Sequence, residues 1–129
     1  MALASKKRTK IAYLTIIARV LFLILGTFIL KAYFFAISGK FYFTSSDELM
    51  HFTGFAIFGL IFAIAFPKFN ASLGITFITL FGIMLEIAQP LLTADRQLSV
   101  SDMIANGLGG LIGNGLGALI IGFTSKHSP

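Results

Sequence analysis

The chain contains no cysteine, which excludes disulfides, thiolate zinc sites and cysteine nucleophiles together. Charge is almost as scarce, with 10 basic and 5 acidic side chains among 129 residues. The G-x-S-x-G nucleophile motif is absent, and so are long repeats and low-complexity tracts. Gly107, Gly109 and Gly110 fit neither a P-loop nor the dinucleotide fingerprint, and no strand-like segment precedes them. One histidine among scattered carboxylates makes a thin metal site, so neither a metal nor a cofactor is expected. What remains is apolar: a hydrophobic content of 57% and a mean hydropathy of +0.92, against roughly 45–50% apolar usage in soluble domains. A chain of this length holds one domain, and a water-soluble one is excluded on composition.

Four windows carry the roughly 20 apolar residues that a helix needs to cross the hydrocarbon core: 16–36, 49–66, 71–91 and 103–123. The expected fold is therefore all-α, an integral membrane bundle of four transmembrane helices over residues 16–123, flanked by a basic tail over 1–15 and a short tail over 124–129 that contains His127. Pro67, Lys68 and Asn70 form a tight turn between the second and third spans, and Pro90 is expected to close the third. Lys6 to Lys10 followed by apolar residues resembles a signal peptide, but the run is too long and nothing soluble follows, so an uncleaved first helix is expected. Starting that helix at Ile11 would put Arg19 near mid-membrane, where insertion costs about 2.5–3.5 kcal/mol. Starting it at Ile16 lets Arg19 and Lys31 snorkel to opposite surfaces and sets Tyr33, Phe34, Phe35 and Phe41, Tyr42, Phe43 at one boundary.

Charge orients the bundle. Lys6, Lys7, Arg8, Lys10, Lys68 and Lys126, with Arg19 at the margin, share the side of both termini, whereas Lys31, Lys40 and Arg96 lie on the other. The positive-inside rule makes the termini cytoplasmic and turns loops 37–48 and 92–102 outward. The pI of 9.8 thus reflects cations beside a membrane, facing anionic lipid, and no nucleic-acid partner is expected.

The polar residues gather on the outward side: Asp47, Glu48 and His51 open the second helix, Glu86 and Gln89 close the third, Arg96 lies in the loop, and Asp102 and Asn106 open the fourth. Asp47 with His51 and Asp102 with Asn106 are spaced i,i+4, and Glu86 with Gln89 i,i+3, so each pair shares a helix face. Glu86 is the most informative, because an ionisable group in an apolar span normally faces the bundle interior with a partner, here Arg96 or His51. A purely structural reading stands beside this one: Ser46, Asp47 and Asp102 as helix caps or first-turn anions, and Glu86 with Arg96 as an ion pair. Ala105, Gly109, Gly113 and Gly117 form a groove of small residues for packing against another helix of the chain or, alternatively, against a second copy in a homo-oligomer. Phe55, Phe58 and Phe62, at helical spacing, face lipid or fill space between helices.

These segments together, "DELMHF" with Asp47, His51 and Phe52, "EIAQP" with Glu86 and Gln89, and "RQLSVSDMIANGLGGLIG" with Arg96, Ser99, Asp102, Asn106, Gly109 and Gly113, resemble the VanZ-like family. The resemblance spans residues 19–122. It implies a multi-pass protein of the bacterial cytoplasmic membrane, in a family whose namesake is linked to resistance to the glycopeptide teicoplanin. One position departs from it: many relatives carry Lys directly after the first Asp, where this chain has Glu48. The leading expectation is a noncatalytic envelope protein that binds a membrane-lipid headgroup or a lipid-linked wall component through Asp47, His51, Glu86, Gln89, Arg96, Asp102 and Asn106. The alternative is a membrane-embedded hydrolase or transferase acting on a lipid phosphate or ester, with His51 or Glu86 as general base and Arg96 stabilising negative charge. A transporter or pore ranks third, because no polar stripe crosses the inner halves of the spans.

Overall fold

The computed structural model describes residues 2–34, 47–92 and 97–126. They form four helices: α1 (Ala2–Phe34), α2 (Asp47–Ala65), α3 (Ala71–Leu92) and α4 (Val100–Lys126). Each contains a stretch long and apolar enough to cross a membrane, over Ile11–Phe34, Asp47–Ala65, Ala71–Leu92 and Val100–Thr124. With their backbone groups bonded along the helix except near its ends, such segments are one of the two architectures that lipid tolerates. The fold is that of a multi-pass membrane protein.

The helix ends follow local chemistry. The Phe66 amide still bonds the Phe62 carbonyl and Phe69 bonds Phe66 across Pro67, at 2.9 Å each. Asn70 then caps α3, its Oδ1 accepting from the Ser72 amide at 3.0 Å. Ser99 caps α4: its Oγ accepts from the Asp102 amide at 3.2 Å. Asp102 is therefore not the cap but a first-turn anion, one turn inside. Pro90 does not close α3, which continues to Leu92. A proline deletes only the bond to the carbonyl four residues earlier, that of Glu86, and this close to the end two more residues still fit. At the other end, α1 extends back to Ala2, so the basic residues expected in a tail prolong the first helix. Arg19 lies level with the end of α2, where its Nε donates to the Ala65 carbonyl at 3.0 Å and its guanidinium sits 5.8 Å above the Phe66 ring. The cation thereby meets one of the four carbonyls that a helix C-terminus leaves unpaired.

The packing is inside-out relative to a soluble bundle. Leu23, Phe28, Leu73, Leu80, Ile104 and Leu119 are exposed, whereas Glu86, Gln89, Asp102, Asn106 and Asn114 are buried. Between the helices lies a phenylalanine seam: Phe55, Phe58 and Phe62 of α2 are buried with Ile29, Ile78 and Leu85, and Phe22 of α1 stacks on Phe58 at 4.6 Å. Those three phenylalanines are interhelical filler.

α2 and α4 make the most extensive helix pair. A Cβ on Gly109 would collide with the Phe52 carbonyl and one on Gly113 with that of Ala56, while one on Gly117 would lie 2.8 Å from the Leu60 oxygen. Each step of four on α4 matches a step of four on α2, so the two helices run parallel with their backbones in contact. The groove that includes Ala105 is thus filled from within the chain. Its consequence for the site is direct: locking α4 to α2 in this register sets Asp102 and Asn106 beside Asp47 and His51.

Candidate functional site

At the end of the bundle away from the chain termini, all four helices contribute to one polar cluster. Its centre is the hydroxyl of Tyr33, 6% exposed near the end of α1. Tyr33 donates to Glu86 Oε1 at 3.0 Å, accepts from Asn106 Nδ2 at 2.9 Å and lies 2.7 Å from His51 Nδ1. His51 Nδ1 is also 3.1 Å from Asn106 Oδ1 and 3.6 Å from Glu86 Oε1. On the ring's other side, Nε2 is 3.8 Å from Asp102 Oδ2.

These distances fix a proton arrangement. A phenol has one proton, and here it points to Glu86. In this arrangement Nδ1 of His51 faces a Tyr33 lone pair and the carbonyl oxygen of Asn106, and it satisfies both when it is the nitrogen that carries the hydrogen. Nε2 is left on the Asp102 side. Glu86 is 0% exposed and its Oε2 meets no hydrogen-bond partner among the described residues. It can set the orientation of His51, but it has no surface on which to meet a substrate.

Of the residues expected from sequence, His51, Glu86, Asp102 and Asn106 come together, and Asp47, exposed in the first turn of α2, brings a carboxylate oxygen within 4.8 Å of the donor atoms of His51 and Asp102. Gln89 is buried one turn beyond Glu86 on the same face of α3. Glu48 is exposed beside Asp47. Arg96 lies outside the described residues, so its expected pairing with Glu86 does too; among those described, Glu86 meets Tyr33 and His51.

Tyr33 is the residue whose role sequence reasoning missed. It lies at the end of its span, as a boundary aromatic does, but it is also the hub of the cluster, and the one signal separating it from its neighbour Phe34 is the hydroxyl, which a buried tyrosine spends on a partner. Asn114 was overlooked as well. It is buried at the opposite end, eight residues after Asn106 on α4, and its Oδ1 has no hydrogen-bond partner among the described residues. With Phe62, Phe66, Phe69 and Gly74 it lines a cavity of about 210 Å³.

The arrangement holds an imidazole in one orientation and one tautomer, flanked by carboxylates, at the mouth of an apolar bundle. No serine hydroxyl is bonded to His51 among the described residues: Ser99 Oγ is committed to the Asp102 amide and to Ser101. Comparison with known proteins adds nothing to this geometry, since no family model, no curated protein and no solved structure matches the chain.

Proposed function

We propose that the polar end of the bundle binds the headgroup of a membrane lipid or of a lipid-linked envelope component, and that the chain is a VanZ-like protein of the bacterial cytoplasmic membrane with both termini cytoplasmic. The observation that carries this reading is the gathering of the buried Tyr33, Glu86, Asp102 and Asn106 around the partly buried His51, drawn from four helices, at one end of an otherwise lipid-facing bundle. Polar groups cost free energy in an apolar surrounding. This cluster gathers at one end of the four apolar helices, the level at which headgroups would lie along spans of this length, and reaches the surface at the exposed Asp47. The cations of the first turns of α1 and of Lys68 favour the opposite face as the cytoplasmic one. Envelope lipids held at an outward site would alter how a glycopeptide engages the cell surface, which connects the site to the teicoplanin phenotype of the family it resembles.

The test is lipid retention. Wild-type protein purified in mild detergent is expected to carry a headgroup-defined lipid by native mass spectrometry, and His51→Ala or Asn106→Leu to lose it while keeping its helical content. Unchanged lipid in well-folded variants overturns the reading. Expressed in a host lacking a relative, the wild type and not Glu86→Gln at equal abundance is expected to lower teicoplanin susceptibility.

A hydrolase or transferase reading is favoured by one feature, the placement of His51 between Glu86 and Asp102, which is the base-and-orienter half of a catalytic arrangement. In that reading His51 is the base and Glu86 positions it. Turnover of a labelled phospholipid by pure protein, lost in His51→Gln, would select it over simple binding.

A further inference from the structure

A single histidine among scattered carboxylates is a thin metal site in sequence, and the fold gathers part of that scatter. Asp47 and His51 lie within the first turns of α2 and Asp102 within the first turn of α4. The α2–α4 register brings one donor atom from each within 4.8 Å of the other two. Bonds of about 2.0–2.2 Å to zinc would put such atoms roughly 3.3–3.6 Å apart, a closure of about 1 Å. Asp47, exposed at the start of its helix, can supply that movement.

Two independent features point to a cation here. One is the state of the imidazole. Its Nδ1–H is held by Tyr33 and Asn106, with Glu86 at 3.6 Å, and its Nε2 faces Asp102. Metal-binding histidines are oriented in this way, the nitrogen away from the metal donating to a carboxylate or carbonyl oxygen that fixes the tautomer. The other is the placement of the carboxylates: Asp102 faces Nε2 with Asp47 beside it, while the wholly buried Glu86 lies across the ring on the Nδ1 side.

We propose that Asp47, His51 and Asp102 bind one divalent cation of the zinc and manganese class, which suits mixed imidazole and carboxylate donors. Three protein ligands leave positions open. The exposed rim residue Asp47 turns those positions toward the headgroup layer, where a phosphate oxygen is the fitting fourth ligand. Resting on the headgroup reading for this second half only, the proposal resolves a conflict of sign: carboxylates repel a lipid phosphate, and a bridging cation reverses the field that it meets.

Chelator-stripped full-length protein in detergent, titrated with Zn²⁺ and separately with Co²⁺, tests the first half. One tight equivalent per chain and a Co²⁺ visible band are expected, with affinity lowered about 100-fold in Asp102→Asn and His51→Gln, and about 10-fold in Tyr33→Phe, which removes only the support behind the ring. Glu48→Gln, beside the three ligands, is expected to bind as the wild type does. Equal binding by all variants, or none by wild type that retains its helical content, overturns the site, the first of these as an adventitious ion only. Nanodiscs of a phosphate-free diglycosyl diacylglycerol, with or without phosphatidylglycerol, test the second half. Phosphatidylglycerol bound only when Zn²⁺ is present supports the bridge, and retention of lipid without metal overturns the bridge while leaving the headgroup reading intact. Metal bound with no lipid preference leaves the cation site and removes both the bridge and the headgroup reading.

Discussion

Gly59→Ala is the most direct probe of how the site is held together. A Cβ built on Gly59 lies 2.7 Å from the Gly110 carbonyl oxygen and 3.0 Å from the Asn114 nitrogen, both backbone atoms that no side-chain rotation can move away. Close carbon–oxygen contacts between helices settle at about 3.3–3.6 Å, so α2 and α4 must part by roughly 0.6–0.9 Å. Overpacking of this kind costs about 1–3 kcal/mol. The same displacement, carried along two rigid parallel helices, stretches the 3.1 Å contact between His51 and Asn106 past the roughly 3.6 Å at which a hydrogen bond is lost. Gly115→Ala is the control on the same helix pair. Nothing lies within 4 Å of its Cβ, and the change from glycine to alanine should then stabilise by up to about 1 kcal/mol through helix propensity. The assay is thermal unfolding in detergent followed by far-ultraviolet circular dichroism, with lipid retention measured on the same samples. The two substitutions should move the midpoint in opposite directions, and only Gly59→Ala should release lipid. If both shift the midpoint equally, the backbone contact between α2 and α4 does not determine the site's geometry and the reasoning fails.

Three further outcomes follow from single side chains. Tyr33→Phe strands Glu86 Oε1 and Asn106 Nδ2 and should destabilise by about 1–3 kcal/mol for each group left unpaired, read as a lower unfolding midpoint; an unchanged midpoint would mean that the hydroxyl is not the hub. Asn114→Leu replaces an amide whose Oδ1 is buried without a partner among the described residues by a side chain of similar shape, and stability should hold or rise by about 1 kcal/mol, read from the unfolding midpoint; a fall would show that the amide binds something in the adjoining cavity. Arg19→Gln removes the cation at the Ala65 carbonyl and, because Arg19 is exposed, should cost less than about 1 kcal/mol, diminishing with salt; a larger, salt-independent loss would place Arg19 in the core of the bundle.

Much of this fold is legible in the sequence, because lipid reduces the structural options to a length and a polarity. Windows of apolar residues locate all four helices, and the four-residue period of Ala105, Gly109, Gly113 and Gly117 marks the face that α2 occupies. The errors sit where local rules meet tertiary context. Pro90 reads as a stop, yet a helix with its last residues in reach of earlier carbonyls continues past it to Leu92. For Asp102 the sequence leaves cap and first-turn anion open; Ser99 takes the cap, so Asp102 is the first-turn anion and its carboxylate faces His51.

The two asparagines of α4 show what a single sequence leaves open. Asn106 and Asn114 have the same side chain, lie eight residues apart on one helix face and are equally buried. Asn106 uses both ends of its amide, the nitrogen on Tyr33 and the oxygen near His51. Asn114 packs against Gly74 and Phe62, neither of which offers a side-chain hydrogen for its oxygen. Spacing along α4 predicts that both point inward, and it carries no information about what each meets there. That depends on a tyrosine 73 positions away in sequence, whose place in the site is fixed only when α1 packs onto α2. A residue in an apolar span is thus placed by its own chemistry but given its role by its partner's, and replacing Asn106 by leucine should cost binding and stability together, whereas the same change at Asn114 should cost neither.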